Sequence, residues 1–380
     1  MKFRFAIAVL AISSLFAATL VSSSQAAGNP NCTEVDGDYI VTFTKGALVS
    51  NEVKNINGKQ VNPKYLYSEA LNGFAGFLTG DQVCNLKKRG NVEDVELDQM
   101  AFASVLQPDA TWGLDRIDQR LPLLDNNYSY ESTGTDVDAY VFDTGILGTH
   151  EEFGTRVRAG FTSINDSWGT TGCNGHGTHV AGTIGGSKYG VAKSLSLIPV
   201  RVLGCNGSGS ISGIISGINW TIGHHVNAKA AVANFSLGGG VSKSLDSAVN
   251  NLIKDGVSVV VAAGNERVNA CNSSPARVPN AITVAASDST DKLANFSNFG
   301  KCVDIIAPGV AITSSIHTSN TAAAAYSGTS MASPHVAGVV ARLLSTGAAA
   351  NSVLTSATTG RFSSLPSGTP NRLLYIAPSN

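Results

Sequence analysis

The chain has 380 residues, 43% of them hydrophobic and 14% charged, with a formal net charge of −1. That near-neutral balance, without a long Lys/Arg run, excludes the basic footprint of a nucleic-acid binder. Sparse charge together with 40 glycines argues for a compact, loop-rich globular protein rather than a disordered one, and the length for more than one folding unit.

Lys2 and Arg4 open the chain, followed by an apolar run over 5–21 and the small residues Ser24 and Ala26 flanking Gln25. This pattern predicts a secretory signal peptide over residues 1–26. A membrane anchor is the alternative. Ser13 and Ser14 interrupt the run, which falls short of the roughly 20 apolar residues a spanning helix needs. The expected location is therefore extracellular, with no membrane partner.

Residues 27–103 form a charge-rich block, with 7 Lys/Arg against 10 Asp/Glu from Gly28 onward. Alternation over 38–43 predicts a strand. Strand or turn material is expected at 65–67 and 73–77, a short helix at 84–88 and a last strand at 92–97, making a small α+β module. Residues 102–111 lack periodicity and contain Pro108, which reads as an exposed linker open to proteolysis.

Residues 104–380 alternate two patterns. Apolar runs at 137–142, 195–202, 230–236, 257–263, 282–286 and 303–306 predict strands. Helical patterns fall at 179–184, 211–222, 244–254 and 334–344. Near-continuous apolar strands alternating with helices predict an α/β domain, a parallel sheet with helices on both faces. The apolar tail 373–376 is expected to pack back on this domain. Six cysteines, Cys32, Cys84, Cys173, Cys205, Cys271 and Cys302, favour disulfides in an exported chain but leave fifteen connectivities open.

Four short segments carry the chemistry. Asp143 ends a predicted buried strand, the edge of an α/β sheet where sites form; a lone Asp there is more often a turn residue. His176 stands among glycines before a helical pattern. His179, three residues on, raises the alternative of a metal pair, for which no third ligand of suitable kind is evident. Ser330 lies close before Pro334, a residue suited to a first helical turn. It would sit at a helix N-terminus, where unpaired N–H groups favour negative charge, or act there as a simple cap. Asn265 follows an apolar strand and offers an amide donor, worth about 10²–10³ in turnover when aimed at an oxyanion. A serine is a poor nucleophile without a base, and the base needs an orienting partner.

Together these segments closely resemble the subtilisin superfamily, whose acid, base and nucleophile follow the same chain order. Ala332 stands where an α/β-hydrolase elbow needs glycine, which speaks against an esterase. An inactive binding protein on the same fold is disfavoured because all four positions are intact. The segment from Trp112 to Arg120 and the positions of Cys173, Cys205, Cys271 and Cys302 are most similar to the proteinase K group, in its aqualysin-like branch. The resemblance implies a catalytic set of Asp143, His176, Ser330 and Asn265 acting on protein or peptide substrates. It implies substrate-pairing segments Gly207-Ser208-Gly209 and Ser236-Leu237-Gly238. The small, uncharged wall Ala263-Gly264 would favour apolar or aromatic side chains before the cut bond.

The resemblance further implies disulfides Cys173–Cys205 and Cys271–Cys302, each closing a loop of roughly 30 residues worth ~3–4 kcal/mol; Cys32–Cys84 is the pair left over. Structural calcium is implied at Asp304 with the carbonyls of Pro279 and Ala281. A second site is implied at Asp115, Asp118, Gln119, Asp125 and Asn127; both offer oxygen ligands. Residues 27–103 resemble an inhibitor-type propeptide. They would chaperone folding and fill the cleft until self-cleavage near Ala103, after which the enzyme is expected as a monomer.

Overall fold

The computed structural model describes residues 33–54, 56, 59–98 and 105–377. They belong to two compact units, one within residues 1–101 and one within 102–380. The signal-peptide reading, Cys32 and the cut near Ala103 lie outside the described residues.

The first unit is a four-stranded antiparallel sheet, ordered Tyr65–Tyr67, Gly73–Leu78, Gly37–Phe43, Val92–Leu97. Tyr39, Val41 and Phe43 alternate into a core with Phe74, Leu78, Val83 and Val95. The helix runs over Gly80–Leu86, earlier than expected. Thr79 caps it, and the Gln82 side chain returns a bond to the Thr79 backbone. That capping box fixes the helix start. Cys84 in this helix is disulfide-bonded.

The second unit is built on a nine-stranded sheet. Its order is Thr358–Thr359, Arg372–Leu373, Ile305–Pro308, Ile282–Ser287, Ser258–Ala262, Ala231–Phe235, Asp138–Asp143, Ser196–Arg201, Phe161–Thr162. All neighbours are parallel except the first pair. Side chains alternate across the sheet, so both faces need cover. Ala139, Val141, Val232 and Val260 face the helices Gly175–Gly185 and Thr329–Ser345. Tyr140, Phe142, Ala233 and Val261 face Ile211–His224 and Lys243–Lys254. Phe142 and Phe235, side by side in register, stack at 4.0 Å.

Three expectations change. Residues 105–108 are not a linker: Val105–Pro108 pairs antiparallel with Asn127–Tyr130. Pro108 sits at the strand end, where a missing N–H is tolerated. The helix expected over 179–184 begins at Gly175, because the Asn174 side chain accepts from the His176 N–H. The helix expected over 334–344 begins at Thr329, so Pro334 lies inside it rather than in its first turn. Residues 373 and 374 are buried at the sheet, the tail returning as expected.

Candidate active site

Asp143 is the last residue of its strand and is fully buried. Both of its carboxylate oxygens meet His176 Nδ1, at 2.8 and 2.9 Å. The Thr144 N–H donates to the same carboxylate. The Thr144 hydroxyl accepts from the Gly177 N–H and donates to the Asn174 carbonyl, which clamps the start of the His176 helix to the end of the Asp143 strand. A Cβ on Gly177 would lie 2.3 Å from the Gly145 carbonyl, so only glycine permits this approach. Burial works against charge on His176. The Asp143 carboxylate, by its charge and its hydrogen bond, outweighs that and raises the imidazole above its usual value.

His179 takes no part in this pair. Its Nε2 faces the carbonyls of Ile312 and Ala324, and its ring stacks on Tyr326 at 4.6 Å. Burial lowers its pKa to about 4. The metal-pair alternative therefore fails on orientation.

Ser330 is the second residue of its helix, and its hydroxyl donates to the Ser236 carbonyl at 3.1 Å. Asn265 lies beyond the strand Ser258–Ala262. Its Oδ1 accepts from both the N–H and the hydroxyl of Thr329, and the Thr329 hydroxyl accepts from the Gly264 N–H. Gly264 has φ +105°, and a Cβ there would strike the Asn298 amide at 2.2 Å. His176, Asn265 and Ser330 line one open cavity of about 450 Å³. The arrangement assembles a hydroxyl at a helix start, an imidazole held by a carboxylate, and an amide NH₂, the ingredients of acyl transfer.

Two further cavities adjoin. One of about 420 Å³ is lined by Leu237, Gly238, Ala263, Gly264, Asn265 and Ser330, with Ala262, Val268 and Ala276. The other, of about 510 Å³, takes in His176, Gly207, Ser208, Gly209, Ser236, Leu237 and Gly238, with Leu203, Ile211 and Ile214. Glu266 also lines the first cavity, so its wall is not wholly uncharged. The Glu266 carboxylate accepts from the Asn265 N–H and the Asn298 amide. Sequence reasoning missed Glu266, Thr144 and Thr329. Each directly neighbours a residue it had singled out, and that adjacency was the available signal.

Cys173 is bonded to Cys205 and Cys271 to Cys302. The first bond ties the loop before the His176 helix to the loop before Gly207. The Asn174 amide adds a bond to the Cys205 carbonyl.

Two oxygen-rich clusters bear on cation binding. Asp115 and Asp118 are buried. Burial, and then the like charges of Asp115 and Asp125, push Asp118 up to about 7. Asp118 Oδ1 is buried without a partner. Asp115 accepts from the Gln119 amide and from the Asp125 and Asn126 N–H groups. Asn127 donates to the Asp125 carbonyl. The three carboxylates do not all come within 4.8 Å of one another. Crowded acids with an orphaned buried oxygen fit a hard divalent cation. Asp304 accepts from the Thr283 N–H, and burial raises its pKa. It too offers a partly buried carboxylate to a cation. Among the described residues, no helix is long and apolar enough to cross a membrane.

Fold and site define a serine peptidase of the subtilisin type. Residues 134–361 match the model of the subtilase family, and residues 38–103 that of the peptidase inhibitor I9 family. The chain is 54% identical to an extracellular serine proteinase of Thermus sp. (strain Rt41A), over 73% of this chain and 68% of that one. It is 46% identical to alkaline serine exoprotease A of Vibrio alginolyticus, over 89% and 67%. A crystal structure of a cold-adapted subtilisin-like serine proteinase superposes with TM-score 0.67 at 48% identity, covering 70% of this chain and 98% of that one. The chain belongs to the subtilase family and hydrolyses peptide bonds; an I9-type propeptide precedes its peptidase domain.

Proposed function

We propose that this is a secreted, calcium-stabilised serine endopeptidase of broad specificity, made as a self-processing precursor, with Asp143, His176, Ser330 and Asn265 as its catalytic groups. The two-oxygen contact of Asp143 with His176 Nδ1 carries the reading. It turns Nε2, the free ring nitrogen, into the base. On this reading Ser330 Oγ attacks the peptide carbonyl carbon while His176 Nε2 takes its proton. The Ser330 N–H and the Asn265 amide donate to the oxyanion. His176 then gives its proton to the departing amine, leaving an acyl-enzyme ester. Water, deprotonated by His176, hydrolyses the ester and restores Ser330.

Residues 207–209 and 236–238 would pair with the substrate backbone, which makes recognition tolerant of sequence. Ala262, Ala263, Val268 and Ala276 in the 420 Å³ cavity support an apolar or aromatic side chain before the cut bond. Calcium would be held by Asp304 with the Pro279 and Ala281 carbonyls, and by Asp115, Asp118, Gln119, Asp125 and Asn127. Its contribution is charge neutralisation and bracing. The boundaries we assign are a signal peptide over 1–26, a propeptide over 27–103 and a peptidase domain over 104–380. The I9 match supports the propeptide as transient inhibitor and chaperone. The extracellular relative and the apolar leader support export, and we assign the mature enzyme as a monomer.

The test is a serine-reactive phosphonate on matured protein, with a peptide-library profile with and without calcium. Label on Ser330 and cleavage after apolar residues are expected. Label elsewhere removes the assignment. Ser330→Ala should accumulate unprocessed precursor; normal maturation of that variant, without other proteases, would sink self-cleavage.

A further inference from the structure

Pro334 has no N–H, so the Ser330 carbonyl, four residues earlier, has no donor from its own helix ladder. That carbonyl is not left bare. The Ser236 hydroxyl donates to it at 2.9 Å. Ser236 Oγ also lies 2.8 Å from the Asn234 amide nitrogen and 2.9 Å from Ser333 Oγ. Asn234, Ser236 and Ser333 are each at most 3% exposed, so water does not compete.

Counting protons fixes the direction of every bond. A hydroxyl has one proton to give and two lone pairs to fill. Ser236 spends its proton on the Ser330 carbonyl. The Asn234 amide therefore donates to it, and the Ser333 hydroxyl donates to it as well. The Ser236 hydroxyl is saturated and has one orientation. The Ser236 main-chain carbonyl meanwhile accepts from Ser330 Oγ. One residue thus grips Ser330 twice, at its peptide carbonyl and at its hydroxyl.

We infer that the side chains of Ser236, Ser333 and Asn234 are positioning residues. They hold the first turn of the Ser330 helix so that the Ser330 N–H and hydroxyl meet the substrate carbonyl in register. This rests on the reading of Ser330 as nucleophile. The three side chains act through Ser330 and touch no substrate atom. Pro334 thereby serves the site: by breaking the ladder it frees the carbonyl that anchors the helix start to the strand Ala231–Phe235 and its extension.

The experiment uses the matured enzyme, titrated first with a serine-reactive phosphonate. Ser236→Ala keeps the backbone carbonyl and removes only the hydroxyl. It should lower kcat about tenfold, in line with loss of one buried hydrogen bond, with KM within twofold. Affinity for a peptide boronic acid, which mimics the tetrahedral state, should fall in step. Affinity for an unreactive product peptide should not move, because transition-state and ground-state binding separate when only the reacting group shifts. Ser333→Ala should show a smaller loss of the same kind. The double variant should match Ser236→Ala alone, since both act through one hydroxyl.

Should Ser236→Ala yield no mature enzyme, Ser333→Ala carries the test by the same kcat and boronate readings. Parent-level kcat and boronate affinity in the variant that matures overturn the inference. So does a loss confined to thermal stability. If the parent itself carries no label on Ser330, the nucleophile assignment fails instead, a result the titration reports separately.

Discussion

Asn265 Oδ1 accepts two hydrogen bonds from Thr329, at 2.8 Å from the N–H and 3.0 Å from the hydroxyl. Thr329 is the first residue of the Ser330 helix. One of the helix's unpaired N–H groups is thereby satisfied, and the amide is locked with its oxygen toward the helix. Its NH₂ is left to face the cavity shared with His176 and Ser330.

Replacing Asn265 by Leu should therefore cost turnover rather than binding. We expect kcat to fall by about 10²–10³ with KM within a few-fold, the range for loss of one oxyanion donor. Steady-state kinetics on a peptide amide substrate decide it. A loss appearing mainly in KM would assign Asn265 to substrate binding instead.

On the proposed mechanism the pairing of Asp143 with His176 sets an acid limit on activity. That mechanism needs neutral His176, and the carboxylate holds its pKa above the ordinary 6.5. Activity should rise with pH through a midpoint above that value. The sign for folding is opposite. A raised folded pKa stabilises the protein below the unfolded value, and that contribution is lost as pH rises through the folded one. Asp143→Asn should move the midpoint of residual kcat/KM downward, with kcat lower by about 10⁴. An unmoved midpoint would remove the carboxylate from the role.

His179 and His335 work the other way. Burial holds both neutral, with pKa about 4. Between that value and 6.5 the unfolded chain takes up protons that the folded chain refuses. Stability is then full above 6.5 and falls as pH drops through the window. We expect a loss of about 5 kcal/mol from the two together between pH 7 and pH 4.5. Urea titrations at the two pH values measure it. His179→Gln should flatten the difference, and an undiminished slope would assign the acid sensitivity elsewhere.

Calcium removal should destabilise the peptidase unit. A cation at a hundred times its Kd contributes about 2.7 kcal/mol. For a domain of this size that is roughly 5–10 °C in melting temperature. Excess chelator should lower the melting point by that amount, and Asp118→Asn should reduce the response. A melting curve indifferent to chelator would count against both calcium sites.

The strands were largely legible because both faces of the sheet are covered, so their apolar runs, as over 257–263, stand out in the sequence. Helix starts were legible only where apolar spacing begins. The His176 and Ser330 helices each begin four or five residues sooner, in glycine- and serine-rich segments where Asn174 and Asn265 supply the hydrogen bonds. The Asn174 cap lies two residues from the N–H it accepts and is a local signal, whereas Asn265 and Thr329 are 64 apart in the sequence, and no local pattern announces that bond. Val105–Pro108 was misread for the same reason: its partner is Asn127–Tyr130. The catalytic candidates were readable through their order along the chain. Glu266 was not, because nothing in the sequence shows that its carboxylate accepts from the Asn298 amide, 32 residues on, at the rim of the cavity.

The parallel pairing of the large sheet bears on how long the folded molecule survives. Asp138 pairs with Ser196 on one side and Ala231 on the other, so the strand that carries Asp143 meets no neighbour through a hairpin. Each pairing requires a long loop to close before any contact rewards it, which makes folding slow. If those late-forming crossovers are also absent from the transition state, their stability resists unfolding. The useful lifetime of such a protein is then a half-life set by the height of a barrier, and substitutions that strengthen those crossovers lengthen it by slowing unfolding while leaving the folding rate almost untouched.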